Sequence, residues 1–197
     1  MNAEQVEVLF IVIGVLEQMK IRYAIGGSFA SSAHGFPRAT RDIDLIVEVS
    51  PVYAKHFAKQ FTAALQPDFY ADDYAIAQAV RARKSFNVIH EESFVKIDLF
   101  VSKPGGFHLQ QLERRQLEII GVSPEQTAYL VTAEDIMLAK LDWYRKGGGV
   151  SEQQWRDISG VIRVQAERLD YDYLREWAAK LEVSDLLEQA LEESLNE

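Results

Sequence analysis

Two stretches of the chain, Arg41–Val49 (RDIDLIVEV) and Phe94–Ser102 (FVKIDLFVS), alternate apolar and polar residues with a period of two. Successive side chains of a strand point to opposite faces, so the pattern predicts two strands with one apolar and one polar face each. Ile43, Leu45 and Val47 make the apolar face of the first, and Val95, Ile97, Leu99 and Val101 that of the second. The polar faces carry acids that a plain amphipathic strand does not need: Asp42 and Asp44 on one, Asp98 beside Lys96 on the other. At roughly 3.3 Å rise per residue, the Cα atoms of Asp42 and Asp44 stand about 6.6 Å apart on one face. If the two strands are neighbours in this register, three carboxylates meet on one surface. Such acids repel one another unless cations neutralise them, and oxygen-only donors favour hard divalent ions such as Mg2+. Two such ions about 3.5–4 Å apart can clamp both oxygens of a phosphoryl displacement. Taken alone, Asp-x-Asp is more often the solvated face of a strand, so the neighbouring sequence has to decide.

That neighbouring sequence is a short apolar strand, Ile21–Ile25, then Gly26-Gly27-Ser28, then a small-residue helix over 28–35 closed by Gly35. Glycines let backbone approach a polyphosphate closely, and the helix start offers unpaired N–H groups and the positive end of a dipole. A lone Gly-Gly-Ser also reads as a tight turn; joined to the Asp-x-Asp strand it is a phosphate-holding arrangement next to a metal-holding one. Elsewhere in the first two thirds, Val6, Leu9, Ile13 and Leu16 mark a buried N-terminal helix. Pro51 opens a helix to about Leu65, at the first helical position that proline favours. A weaker helix covers Asp72–Arg83, Ser85–His90 forms a hairpin with Phe94–Ser102 through the turn at Glu91–Ser93, and Arg114–Val122 is a last edge strand. From about residue 125 only helices are expected. Thr132 opens one that ends at Gly147-Gly148-Gly149, and Ser151 with Gln154 caps the next, with the stripe Trp155, Ile158, Ile162, Ala166 and Leu169. Two more follow, over Tyr171–Leu181 and Val183–Leu195. The aromatic residues Trp143, Tyr144, Trp155 and Trp177 are expected in the core, and Arg156-Asp157 as a structural pair between helices. The fold class is α+β, a mixed sheet flanked by helices over 1–125 followed by a helical region over 126–197.

Composition narrows the chemistry. The absence of cysteine excludes disulfides, zinc–thiolate sites, iron–sulfur clusters and cysteine nucleophiles together. The four histidines show no metal-ligand spacing, and no Walker A or Gly-x-Gly-x-x-Gly element is present. The net charge of -9 argues against bulk coating of nucleic acid, and it lies mostly after residue 125, where 15 acids face 8 bases. The most apolar run, Val8–Leu16, is far shorter than the roughly 20 residues a membrane span needs, and no basic segment precedes it. A cytoplasmic protein with no membrane partner is expected.

The segment GGSFASSAHGFPRATRDIDLIV, residues 26–47, resembles the signature of the nucleotidyltransferase superfamily, the DNA polymerase β-type fold, and Asp98 within VKIDLFV fits its third acid. The wording from Arg38 to Leu45, with TAEDIMLAKLDWYRKGG and QWRDISGVI downstream, is similar to small prokaryotic nucleotidyltransferase-like proteins, some related to AbiEii-type toxins. The resemblance implies that Gly26, Gly27 and Ser28 hold a nucleoside triphosphate, with Arg38 and Arg41 as nearby phosphate contacts. It implies that Asp42 and Asp44 ligate two Mg2+ ions (Mn2+ also serving), and that Asp98 ligates the catalytic metal and orients or deprotonates an acceptor hydroxyl. Lys140 becomes a phosphate contact from the helical region. The reaction implied is attack on the α-phosphate with pyrophosphate leaving, onto RNA such as tRNA, a protein or a small molecule. The alternative is a toxin–antitoxin component, or a binding protein that uses the fold with little turnover.

Overall fold

The computed structural model describes residues 3–121 and 126–195. Among the described residues seven strands make one mixed sheet: β1 (Tyr23–Ile25), β2 (Ile43–Val47), β3 (Phe69–Tyr70), β4 (Ser85–His90), β5 (Lys96–Val101), β6 (Gln116–Ile119) and β7 (Thr127–Leu130), in the order β3-β4-β5-β2-β1-β7-β6. The β2–β5 and β1–β7 pairs are parallel and the others antiparallel. By compactness the chain forms two units, one of Met1–Gly26 with Ala39–Val131 and the other of Gly27–Arg38 with Thr132–Glu197.

The first unit holds the whole sheet with helices α1 (Ala3–Gln18), α3 (Ala54–Leu65), α4 (Asp73–Ala82) and α5 (Phe107–Arg114). Alternation does what the sequence demands of it: Ile43, Leu45, Ile97 and Leu99 are fully buried, while Asp44, Lys96 and Asp98 between them are only partly covered. Phe57 and Phe61, stacked on each other along α3, hold it onto β4 through edge-on contacts with Phe86. Asp72 caps α4 by accepting from Ala75 N, and Arg83 ends it in the left-handed region at φ 49°. A one-turn 3-10 helix, Pro51–Tyr53, precedes α3, so the proline starts helical geometry where expected.

The first unit departs from expectation at β7, at α5 and at the edge strand. The region after residue 125 is not helical throughout, because β7 inserts between β1 and β6, and Val131 N extends the ladder by donating to Ile25 O. Four residues of iBiB alternation give too short a signal to stand out beside the long helices that follow. Helix α5 occupies a segment that the sequence left unassigned. The expected edge strand is confined to Gln116–Ile119, exposed along its length; its expected end, Val122, and the expected domain boundary at residue 125 lie outside the described residues.

The second unit is helical: α2 (Gly27–His34), α6 (Ala133–Lys146), α7 (Glu152–Gln165), α8 (Tyr171–Lys180) and α9 (Ser184–Leu195). Thr132, Ser151 and Asp170 cap α6, α7 and α8 by accepting from Asp135 N, Gln154 N and Tyr173 N. Its fully buried core includes Leu138, Leu141, Ile158, Val161, Ile162, Leu174 and Leu187. Trp143 is 57% exposed and not a core residue: it lies on the face of α6 opposite the buried Leu138 and Leu141.

Gly35 sits where α2 ends against α7. A Cβ there would meet Val161 N at 2.8 Å and Gly160 C at 2.9 Å, both backbone atoms that cannot swing aside. Gly35→Ala is therefore expected to destabilise the protein by about 1–3 kcal/mol, seen as a lower Tm in circular dichroism. Gly160→Ala serves as the contrast. Its nearest neighbour is the ring of Phe36 at 3.1 Å, which is 59% exposed and can rotate away, so a smaller loss is expected.

Candidate functional site

The pairing of β2 with β5 brings the acids together. In the parallel ladder Asp44 is the partner of Asp98, so the two carboxylates leave one face of adjacent strands, about 4.8 Å apart at the backbone. The row continues on both sides. Asn87 of β4 is the partner of Asp98, and Gly26, just after β1, donates its N–H to Asp44 O at 2.9 Å. Gly26–Asp44–Asp98–Asn87 thus crosses four strands on one face.

Gly26 is not explained by backbone conformation, since it does not have a positive φ. Nor does packing explain it: a Cβ would meet nothing closer than Ile46 Cδ1 at 4.0 Å. What the missing side chain leaves is open space beside Asp44. Gly27 is different, with φ 57°, which a residue with a Cβ adopts at a cost.

Asp42 precedes β2 and has a mostly exposed side chain. Its position is set from α1, where the buried Gln5 donates from Nε2 to Thr40 O at 2.8 Å and to Arg41 O at 3.4 Å, pinning the chain that enters β2. Arg41 itself is exposed.

Lys96 stands among the acids. Its Nζ is 2.7 Å from Asp98 Oδ2 and 3.9 Å from Asp42 Oδ1. The hydrogen bond to Asp98, opposed in part by desolvation, and the charges of Asp98, Asp42 and Asp44 hold its pKa above the ordinary lysine value. Among the described residues no three acid, histidine or cysteine side chains stand close enough, as placed, to enclose a metal ion. The donor set nevertheless fits a hard divalent cation in kind: carboxylate oxygens only, two of them in register on adjacent strands. The charge now beside Asp98, and facing Asp42, is the Lys96 ammonium.

In the second unit another cluster forms around Asp157, which sequence reasoning had paired with Arg156. Arg156 instead extends toward Glu152 at 3.7 Å, both largely exposed. Asp157 is buried and accepts from Arg38 Nε at 2.8 Å, Arg38 Nη2 at 2.9 Å, Lys140 Nζ at 2.7 Å and Gln153 Nε2 at 2.8 Å. Burial alone would raise the Asp157 pKa, but these donors, Arg38 first, outweigh it and lower it to about 2. Arg38 Nη2 also donates to Ser28 Oγ at 2.6 Å, so the Asp157 carboxylate reaches the start of α2 through one guanidinium. Lys140 is buried, with a second hydrogen bond to Gln154 Oε1 at 3.0 Å. The charged partners of Asp157 were missed because they lie 119 and 17 residues away, beyond any local pattern. Lys96 carried a legible signal, its place on the acid face of β5, that pointed to no role by itself.

No protein-family model matches this sequence, and no curated protein matches it significantly. Solved structures do. The solution structure of the antibiotic-resistance factor ANT(2'')-Ia aligns with a TM-score of 0.55 at 12% identity, over 96% of this chain and 97% of its own. An antigenic nucleotidyltransferase-like protein from Paracoccidioides brasiliensis aligns with a TM-score of 0.56 at 19% identity, over 98% and 94%. The lincosamide antibiotic adenylyltransferase LnuA, bound to lincomycin, aligns at 0.50 and 14% identity, over 82% and 96%. The chain therefore has the nucleotidyltransferase fold, a mixed sheet flanked by helices. No described helix is long and apolar enough to cross a membrane.

Proposed function

We propose that this protein is a divalent-cation-dependent nucleotidyltransferase that moves a nucleoside monophosphate from a nucleoside triphosphate to an acceptor hydroxyl. The observation that carries the reading is the register of Asp44 with Asp98 on neighbouring strands of this fold, with Gly26 leaving space beside them. Asp42, Asp44 and Asp98 would hold Mg2+ or Mn2+, which when bound supplies charge neutralisation for the phosphate oxygens. Gly26, Gly27 and Ser28 receive the triphosphate. Arg38, held by Asp157 and bonded to Ser28, and the exposed Arg41 supply cationic contacts to it. Lys140 acts from its buried place by fixing Asp157 and, through it, Arg38. Asp98 orients the acceptor hydroxyl and takes its proton as the oxygen attacks the α-phosphorus; the bond to the bridging oxygen breaks and pyrophosphate leaves. Catalysis of this kind is mainly positioning and electrostatic stabilisation.

The acceptor classes are RNA such as tRNA, a protein, or a small molecule. The names of ANT(2'')-Ia, an antibiotic-resistance factor, and LnuA, an antibiotic adenylyltransferase, support placing small molecules first. The toxin–antitoxin reading rests on the sequence resemblance and on the acidic C-terminal stretch, where residues 182–197 carry six acids and no Lys or Arg. The test is incubation with each of the four ribonucleoside triphosphates, Mg2+ or Mn2+, and a panel covering the three acceptor classes. Cation-dependent release of pyrophosphate matched by labelled acceptor is expected. Absence of both nucleotide binding and transfer across the panel contradicts the reading.

A further inference from the structure

Lys96 is placed by the same alternation that places Asp98: two residues apart on β5, they share a face, while Val95 and Ile97 turn into the core. A lysine on an exposed strand face ordinarily extends into water to keep its head solvated. Here the side chain runs along the sheet, with Nζ within hydrogen-bond distance of Asp98 Oδ2 and within ion-pair distance of Asp42 Oδ1. Asp42, Asp44 and Asp98 are the charged groups that act on it.

We infer that Lys96 is the internal counter-ion of the acid face, neutralising it before a divalent cation binds and setting the affinity with which one binds. The inference rests on the proposed role of Asp42, Asp44 and Asp98 as cation ligands. In the structure Asp98 Oδ2 is engaged by the ammonium, so a cation that takes this oxygen must first displace it. The pair is suited to giving way: both side chains are partly exposed, 37% and 21%, and ion pairs of that kind are weak and screened. Lys96 lets the face fold without a cation and costs it affinity when one arrives.

The test uses Mn2+ alone with the full chain, titrated by calorimetry and by loss of the free-Mn2+ electron paramagnetic resonance signal. A unit charge a few Å from a divalent ion weakens binding about tenfold even at water's dielectric constant. Lys96→Met is therefore expected to bind Mn2+ about tenfold more tightly than the parent. Lys96→Arg should stay within about threefold of the parent, and Asp98→Asn should lose binding. A second readout is thermal: Lys96→Met should melt lower than the parent without cation, and Mn2+ should raise its Tm by more than it raises the parent's. Lys96→Gln repeats both measurements should the methionine variant fold poorly. Equal or weaker Mn2+ binding by the uncharged variants, with binding still lost in Asp98→Asn, overturns the counter-ion role and leaves the acid site standing. No Mn2+ binding in any variant, Lys96→Met and Lys96→Gln included, overturns the acid site and the inference with it.

Discussion

Replacing Asp98 by Asn is expected to reduce nucleotidyl transfer by about a hundredfold to a thousandfold or more while leaving the Tm within a few degrees of the parent. The loss follows from removing the charge on which both cation binding and the acceptor hydroxyl would depend, and single electrostatic groups in active sites commonly contribute on that scale. The small thermal effect follows from two opposed changes. Asn ends the ion pair with Lys96, a partly exposed contact of little net stability. It also removes the repulsion between Asp98 and its ladder partner Asp44, since like charges directly opposite on neighbouring strands destabilise a sheet. The side chain keeps its size, and the buried neighbours Ile97 and Leu99 are untouched. Steady-state kinetics beside a melting curve separates the outcomes. A large Tm drop with proportionate loss of activity would mark Asp98 as a structural residue.

Asp157→Asn is expected to do the reverse and act first on stability. It leaves the Lys140 ammonium, whose side chain is 5% exposed, without its carboxylate, and breaking a buried pair from one side costs about 3–5 kcal/mol. The same variant should change the pH dependence. Folding lowers the Asp157 pKa from 3.8 to about 2, so its contribution is fully present above about pH 4 and is lost as pH falls from there through 2. The amount is about 2 kcal/mol. Urea unfolding of the parent between pH 5 and 2 should show that loss, and Asp157→Asn should lack this share of it. The double variant Asp157→Leu with Lys140→Met is expected to be more stable than Asp157→Leu alone, because the deeply buried Lys140 ammonium is then not stranded and only the more exposed Arg38 loses its partner. Additive losses would contradict the account of the cluster.

The sheet was readable because period-two alternation is strong where one face must be apolar. Ile43, Leu45, Ile97 and Leu99 leave no other register, and the acids between them mark the opposite face. The helix caps at Thr132 and Ser151 were readable for a similar reason, since their chemistry lies within three residues. What escaped was set by distant partners or by length. Strand β7 is four residues long, and its place beside β1 is fixed by pairing with Ile25, about a hundred residues earlier in the chain. Residues 27–38 group with the C-terminal helices because Gly35 meets the backbone of α7 and Arg38 meets Asp157, neither of which a local pattern encodes. Lys140, which the resemblance makes a phosphate contact, is buried because Asp157 and Gln154 supply its partners. At the acid face, the sequence placed the carboxylates on one side of two strands; that Asp44 and Asp98 are immediate neighbours, and that the Lys96 ammonium sits on Asp98, came from the fold.

The most direct measurement is a crystal of the protein grown with Mn2+ and a nonhydrolysable nucleoside triphosphate, examined for anomalous scattering. Manganese within coordination distance of both Asp44 and Asp98, with the Lys96 ammonium moved off Asp98 and the triphosphate against Gly26–Ser28, is the expected result. A bound nucleotide with no metal at these carboxylates, and Lys96 still on Asp98, would contradict it.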